Sequence, residues 1–165
     1  MAEALAPHDP ANLTVLPGPR EFLFSQSYLA GVQAAAQRLG MPTVRVIFSE
    51  MTQIAGEALA TAEVMRPRSA IAGIQDTLAF GVYRAAAKAP NVAIGQTLAV
   101  FGGQNFPGSE LSAPTLSTFS THDSRVAELI TQVLIHRLGS TGKADFQSFV
   151  VQPELRLRAS HALAR

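Results

Sequence analysis

The residues of this sequence that could do chemistry are few, and their spacing points to binding rather than catalysis. The four histidines, His8, His122, His136 and His161, fall near the N-terminus, at a helix start, inside a helix and near the C-terminus. None stands at the His-x-x-x-His interval that sets two imidazoles on one helical face around a metal ion, so structural or solvated roles are expected for all four. Cysteine is absent, which removes thiolate catalysis, disulfides and cysteine-ligated zinc and fits a reducing compartment. There is no Gly-x-Ser-x-Gly elbow, no P-loop and no Gly-x-Gly-x-x-Gly, and Gly102-Gly103 alone does not make a phosphate cradle. Glu50, Glu57, Glu63 and Asp76 show no pairing suited to general acid and base work. The expectation is a non-enzyme without cofactor or metal.

What remains is a set of amides and aromatics whose meaning depends on the elements that hold them. Residues 13–16 read as a strand stopped by Pro17, Gly18 and Pro19. From 23 to 39, Tyr28, Leu29, Val32, Ala36 and Leu39 keep the spacing of an amphipathic helix, and Gly40 and Pro42 end it. The β-branched run 43–48 reads as a buried strand, followed by a helix with Ile54, Ala58, Ala62 and Met65 on one face and a stop before Pro67. A third strand is expected over 69–74, a helix over 76–89 with Leu78, Val82 and Ala86 on one face, and a fourth strand over 98–101 before a turn-rich stretch at 102–114.

The last third changes character. Residues 115–120 suggest a polar strand. Val126, Leu129, Ile130, Val133, Leu134 and Leu138 then make the strongest helical stripe in the chain, capped by Thr121 or Asp123 and ended by Gly139. Residues 146–151 and 155–157 suggest a closing strand pair, or one strand bent at Pro153.

Strands that alternate with helices through short connections predict an α/β fold with a mostly parallel sheet flanked by helices. The 165 residues suit one ordinary domain. With 47% apolar residues, 15% charged and a net charge of +1, the composition is that of a soluble globular chain with no polyanion partner implied. No run reaches the ~20 apolar residues of a membrane span, and residues 1–10 lack the features of an export signal. A cytoplasmic protein without membrane attachment is expected.

In a parallel sheet the ligand crevice lies outside the carboxyl ends of the strands. The residues just after the four expected strands offer Arg20, Glu50, Gln75, Asp76, Gln104 and Asn105, with Phe24, Tyr28, Met51 and Phe106 as walls. Phe24, Tyr28, Met51, Gln75, Asp76 and Gln104 are the candidate ligand-binding residues. Amides beside aromatic walls suit a small neutral polar ligand, because they donate and accept without desolvating a charge.

Several segments, in order, resemble the effector-binding core of the lactose/galactose repressor family, whose fold is that of periplasmic sugar-binding proteins. Residues 13–19 (LTVLPGP) resemble its strand with a Gly-Pro turn, and 28–31 (YLAG) its Arg-x-x-Gly. Residues 74–85 (IQDTLAFGVYRA) resemble Asn-Asp-x-x-Ala-x-Gly, and 98–106 (LAVFGGQNF) resemble Val-x-Gly-Phe-Asp-Asp. Residues 114–120 (PTLSTFS) resemble Pro-x-Leu-Thr-Thr, and 150–160 (VVQPELRLRAS) the closing Pro-x-Leu-x-x-Arg-x-Ser.

The resemblance implies the C-terminal lobe of a type I periplasmic-binding-protein-like core. It divides the chain into a tail (1–12), an α/β effector-binding lobe (13–113), a crossover strand and helix belonging to the other lobe (114–145), closing strands (146–160) and a second tail (161–165). The function implied is effector sensing in a DNA-binding transcriptional regulator, with DNA contact made only through a headpiece that these residues do not include.

A homodimer is implied through the segments at 76–89 and 105–113. The 124–138 stripe is expected to pack on a second copy, or on its own sheet in a position the family does not use. The family's sugar-gripping Arg, Asn and Asp fall here on Tyr28, Gln75 and Gln104, which implies a neutral effector, a sugar or a nucleoside-like molecule. Two alternatives stand beside it: a periplasmic-type solute-binding protein of a transporter, and, less favoured, a small α/β enzyme using Gln75, Asp76 or Glu50. The arginines at 156, 158 and 165, with His161, read as a solvated terminus rather than a DNA-contacting arm.

Overall fold

Four short apolar runs pair into one sheet because each puts alternate side chains on opposite faces, and both faces find a helical layer. In a computed structural model, which describes residues 1–139 and 148–164, β1 (Asn12–Leu16), β2 (Val44–Val46), β3 (Ser69–Gly73) and β4 (Leu98–Phe101) form an all-parallel sheet in the order β2-β1-β3-β4. The register runs Leu13 to Val44 across β1 and β2, Thr14 to Ile71 across β1 and β3, and Ile71 to Val100 across β3 and β4.

Leu16, Ile71, Leu98 and Val100 face the layer containing α3 (Gln53–Leu59) and α4 (Asp76–Ala86), where they meet Leu78 and Val82. Leu13, Val15, Ala70, Ala72, Ala99 and Phe101 face the opposite way, toward Val32 and Ala36 of α2 (Leu23–Arg38). The α/β class with a mostly parallel, helix-flanked sheet is what the alternating pattern implied.

Three elements differ from expectation. β2 is an edge strand, partly exposed along its length, because only β1 pairs with it; Arg45 reaches Glu63 at 2.8 Å from its open side. The apolar period after Gln53 continues to Met65, but the helix stops at Leu59. Ala60 leaves the helical region, and Val64 and Met65 enter the core from turn residues. The residues before β1, expected as a tail, contain α1 (Ala2–Leu5) and a 3-10 turn at Ala6–His8. Leu5 and, from the other end, Leu163 are buried beside Val32 and Ala36. The Arg68 guanidinium ties both ends down through the carbonyls of His8 (3.0 Å), Asp9 (2.7 Å) and Ala164 (3.4 Å).

Beyond the sheet, β5 (Thr118–Ser120) pairs antiparallel with β6 (Glu154–Arg156). Part of the stretch expected as a strand at 146–151 lies outside the described residues, and 148–151 carry no strand. Between β5 and β6 in sequence runs α5 (Asp123–Gly139), none of whose residues is buried. The expected apolar stripe is present, but it does not pack on the protein's own sheet, because both sheet faces are already covered by the other helices. Among the described residues, no helix is long and apolar enough to cross a membrane.

Candidate ligand-binding site

The four strands release their chains at one end of the sheet, and the turns there carry the candidate residues. Gly18, with φ +84°, turns the chain after β1; a Cβ there would stand 3.0 Å from Met51 Cγ. β3 ends at Gly73, and Gln75 becomes the residue before the first turn of α4. After β4, Gly102 and Gly103 allow two close approaches that no other residue permits: a Cβ on Gly102 would lie 2.1 Å from Asp76 Oδ1, and one on Gly103 would lie 2.0 Å from the Ile74 carbonyl and 2.7 Å from the Phe119 ring. Gln104 follows in the left-handed region with φ +84°, where a non-glycine residue needs outside support. Its N–H supplies some, donating to the Phe119 carbonyl at 2.8 Å.

These turns bring Phe24, Tyr28, Gln75 and Gln104 around one pocket of about 320 Å³, completed by Ile74, Phe119 and Thr121. The rings of Tyr28 and Phe119 stand 6.1 Å apart at 33°. Burial pushes the Tyr28 phenol well above its ordinary range, so it stays neutral. The Thr77 hydroxyl stands within reach of both the Met51 carbonyl (3.1 Å) and Gln75 Oε1 (3.2 Å), with one proton to share between them. The Oε1 of Gln104 is shielded from water and accepts no hydrogen bond.

The structure does not bring Met51 and Asp76 into this pocket. Met51 lies under the Gly18 turn against the core. Asp76 is fully buried, and its carboxylate accepts from the Phe106 N–H (2.7 Å), the Ser109 hydroxyl (2.5 Å) and the Thr118 hydroxyl (2.7 Å). It ties the loop after β4 and the strand β5 to the start of α4, and its full burial keeps it out of a ligand's reach. Arg20 and Asn105 are similarly occupied. The Arg20 guanidinium sits 4.4 Å over the Phe48 ring, and Asn105 Oδ1 accepts from Arg158 at 2.8 Å. Glu50 is exposed.

Arg158 is no solvated terminus: it also reaches the Leu116 carbonyl (2.7 Å) and Glu110 (2.9 Å). Ser160 joins it by bridging the Ser117 N–H and the Val100 carbonyl. Phe119, Thr121 and Ile74 were missed by sequence reasoning. The one available signal for Phe119 was a lone aromatic in an otherwise Ser/Thr-rich strand. Among the described residues, no cluster of His, Asp or Glu could hold a metal ion.

A second, larger and mostly apolar groove of about 750 Å³ adjoins the pocket across Phe119 and Thr121. It is walled by Val126, Leu129, Ile130, Val133 and Leu134 of α5 together with Phe149 and Val151. It lies beside the strand ends rather than over them and holds no convergent amides, so the smaller pocket is the better candidate for a polar ligand.

The family model of the periplasmic binding protein-like domain matches residues 12–161. Among solved structures, the dimeric Lac repressor with an 11-residue C-terminal deletion superposes with a TM-score of 0.88 at 17% identity, over 99% of this chain and 60% of that one. A LacI family transcriptional regulator from Enterococcus faecium with bound ribose gives 0.87 at 16% identity, over 98% and 60%. The Escherichia coli transcriptional repressor ascG gives 0.83 at 22% identity, over 98% and 59%. The chain thus spans about 60% of the length of these structures. None of the curated proteins matches it in sequence.

Proposed function

The chain belongs to the family of periplasmic binding protein-like domains, and from that membership we propose that it is the effector-sensing part of a transcriptional regulator of the lactose/galactose repressor type, acting by binding and not by catalysis. The observation that carries this reading is the pocket at the carboxyl ends of the strands, where Phe24, Tyr28, Gln75 and Gln104 converge with Phe119. The similar folds seen in repressors, one of them with bound ribose, support the same reading. A ligand seated there touches α2 through Phe24 and Tyr28, the loops after β3 and β4 through Gln75 and Gln104, and β5 through Phe119. It would act by favouring whichever arrangement of the crossover segment fits it better, since a ligand shifts an equilibrium only by its differential affinity for the two states. DNA contact belongs to a headpiece elsewhere in such a regulator. A homodimer and a cytoplasmic location are part of the proposal. Leu111, 86% exposed in the loop after Phe106, supplies an apolar contact for the dimer face.

The test is to titrate the purified chain with neutral sugars, polyols, nucleosides and nucleobases by calorimetry while assaying each mixture for conversion. Saturable binding with no turnover, abolished by Tyr28→Ala, is expected. Chemical conversion of the bound compound would replace the reading with an enzyme.

A further inference from the structure

We infer that the two ends of the chain form one acid-sensitive clasp at the amino ends of the strands, which holds at neutral pH and releases both ends together as the imidazoles of His8 and His161 take up protons. The clasp lies at the opposite end of the sheet from the pocket and does not rest on the effector reading.

The ends share their anchors. The Arg68 guanidinium donates to the carbonyls of His8 and Asp9 from one end and of Ala164 from the other. Leu5 and Leu163 enter one apolar cluster with Val32 and Ala36 of α2 and Phe101 of β4. The Leu163 N–H donates to His8 Nδ1 at 3.4 Å. An end that lifts takes a hydrogen bond and an apolar neighbour from the other, so the two open as a unit.

The anchor itself is fixed to the sheet. Arg68 stands at φ +60°, a conformation uncommon outside glycine. It is held there at the strand starts, where its N–H donates to the Thr97 carbonyl at 2.8 Å and its carbonyl accepts the Ala11 N–H at 2.7 Å. Neither of those bonds involves the residues that the clasp releases.

The tie between the ends runs through imidazoles. A backbone N–H can only donate, so His8 Nδ1 carries a lone pair and no proton while the bond from Leu163 stands. A proton added there removes the acceptor and sets a cation beside Arg68, whose guanidinium bonds the carbonyl of the same residue at 3.0 Å. The His161 ring stands edge-on to His8 at 5.4 Å, 5.7 Å from the Phe101 ring and 3.0 Å from Ser117 Oγ. Burial disfavours its charged form, outweighing a hydrogen bond to the Arg158 backbone, and His8 adds a little in the same direction. The anion facing the pair is Asp9, 3.8 Å from Arg68 with its side chain 97% exposed, too well solvated to offset two new cations. Glu3 of α1 is engaged by Arg38 at 2.7 Å. Acid therefore favours the open form, in which the imidazoles meet water and accept their protons freely.

The experiment is amide hydrogen exchange of the isotope-labelled whole chain, followed residue by residue at pH 7.5 and 5.5 and corrected for the intrinsic pH dependence of exchange. Protection at Leu5, Asp9, Leu163 and Ala164 is expected to fall together by about tenfold or more at the lower pH. One histidine of ordinary pKa, about 6.5, that binds its proton only in the open form gives about that factor one unit below it. Ile71 and Val100 should keep their protection. His8→Asn retains an acceptor without a titrating ring, and combined with His161→Gln it should give equal protection at both pH values.

The comparison on the unmodified chain decides the matter even if the double variant fails to fold. Equal protection at both pH values, or loss at one end alone, would overturn the clasp. Equal loss at Ile71 and Val100 would mean global unfolding and would overturn it as well. A folded double variant that keeps the full pH dependence would remove His8 and His161 as its sensors.

Discussion

Asp76 shows how a residue can be placed correctly by sequence and still be given the wrong work. It follows β3 at the crevice, as expected, but its carboxylate is spent on Phe106, Ser109 and Thr118, partners 30 to 42 positions away in the chain that no local pattern can reveal. Asp76→Ala would leave two buried hydroxyls and one part-buried N–H without this acceptor, each buried donor costing on the order of 1–3 kcal/mol. A loss of about 3 kcal/mol or more is expected in urea unfolding, and a change under about 1 kcal/mol would show that the loop after β4 and β5 are held by other means. That Tyr28, Gln75 and Gln104 stand together near the carboxyl ends of the strands was legible because a parallel sheet fixes where such a crevice must lie; that Phe119 joins them was not, because it arrives from a strand outside that sheet.

His161 makes a second prediction at this scale. Its ring meets Ser117 Oγ at 3.0 Å and stands edge-on to His8 at 5.4 Å. Burial holds it below its ordinary value of 6.5, outweighing a hydrogen bond to the Arg158 backbone that raises it, and the neighbouring His8 lowers it a little further. Arg68 and Asp9, bound beside His8, complete the charged surroundings. A histidine whose folded value is depressed costs nothing while both states are neutral. Stability is therefore retained above 6.5 and lost as pH falls through the window below it, where the unfolded chain binds the proton first. Between pH 7.5 and 5.5 the urea midpoint is expected to fall more for the unmodified chain than for His161→Gln; equal slopes would refute the assignment.

At the scale of elements, the helix pair α3 and α4 depends on two glycines. A Cβ on Gly56 would stand 2.2 Å from the Leu78 carbonyl, and one on Gly81 would stand 2.2 Å from the Gln53 carbonyl and 2.5 Å from the Glu57 nitrogen. The obstructing atoms are backbone, which cannot swing aside, so Gly81→Ala must push the helices apart and disturb the core formed by Leu78 and Val82. Overpacking of this kind costs about 1–3 kcal/mol, outweighing the ~1 kcal/mol of helix propensity that alanine would add. A melting temperature lowered by about 4 °C or more is expected, and a rise would mean that the helices separate freely.

The periods that defined these helices were legible because an amphipathic stripe needs only a few turns of sequence. Their ends were less so. α3 stops at Leu59 although the apolar period continues, since Val64 and Met65 are buried as well from a turn. Periodicity reports which residues are covered, not which backbone carries them. β2 was overread for the same reason, its β-branched run marking a strand without showing that one side would stay open.

At the scale of the whole molecule, the sheet has two faces and both are full, which leaves the stripe on α5 outside the core that these residues form. Ile130, Leu134 and Leu138 are 62%, 55% and 79% exposed, and Phe149 and Val150 beside them 54% and 81%. The stripe was legible in the sequence; its partner was not, because a period says that a face is apolar and nothing about what covers it. A contiguous apolar surface of this kind draws a partner. A second α5 suits it, since the helix begins with Asp123 and ends with His136 and Arg137, so an antiparallel pair sets acidic against basic turns. The chain is therefore expected to sediment as a concentration-dependent dimer, approaching twice its 17.5 kDa as the concentration rises. The double variant Ile130→Glu, Leu134→Glu should remain monomeric with an unchanged circular dichroism spectrum, because neither side chain belongs to the core. A dimer that survives the double variant would place the contact elsewhere, at Leu111 and α4. A monomer at every concentration would show that water tolerates the α5 face, and self-association through it would have to be abandoned.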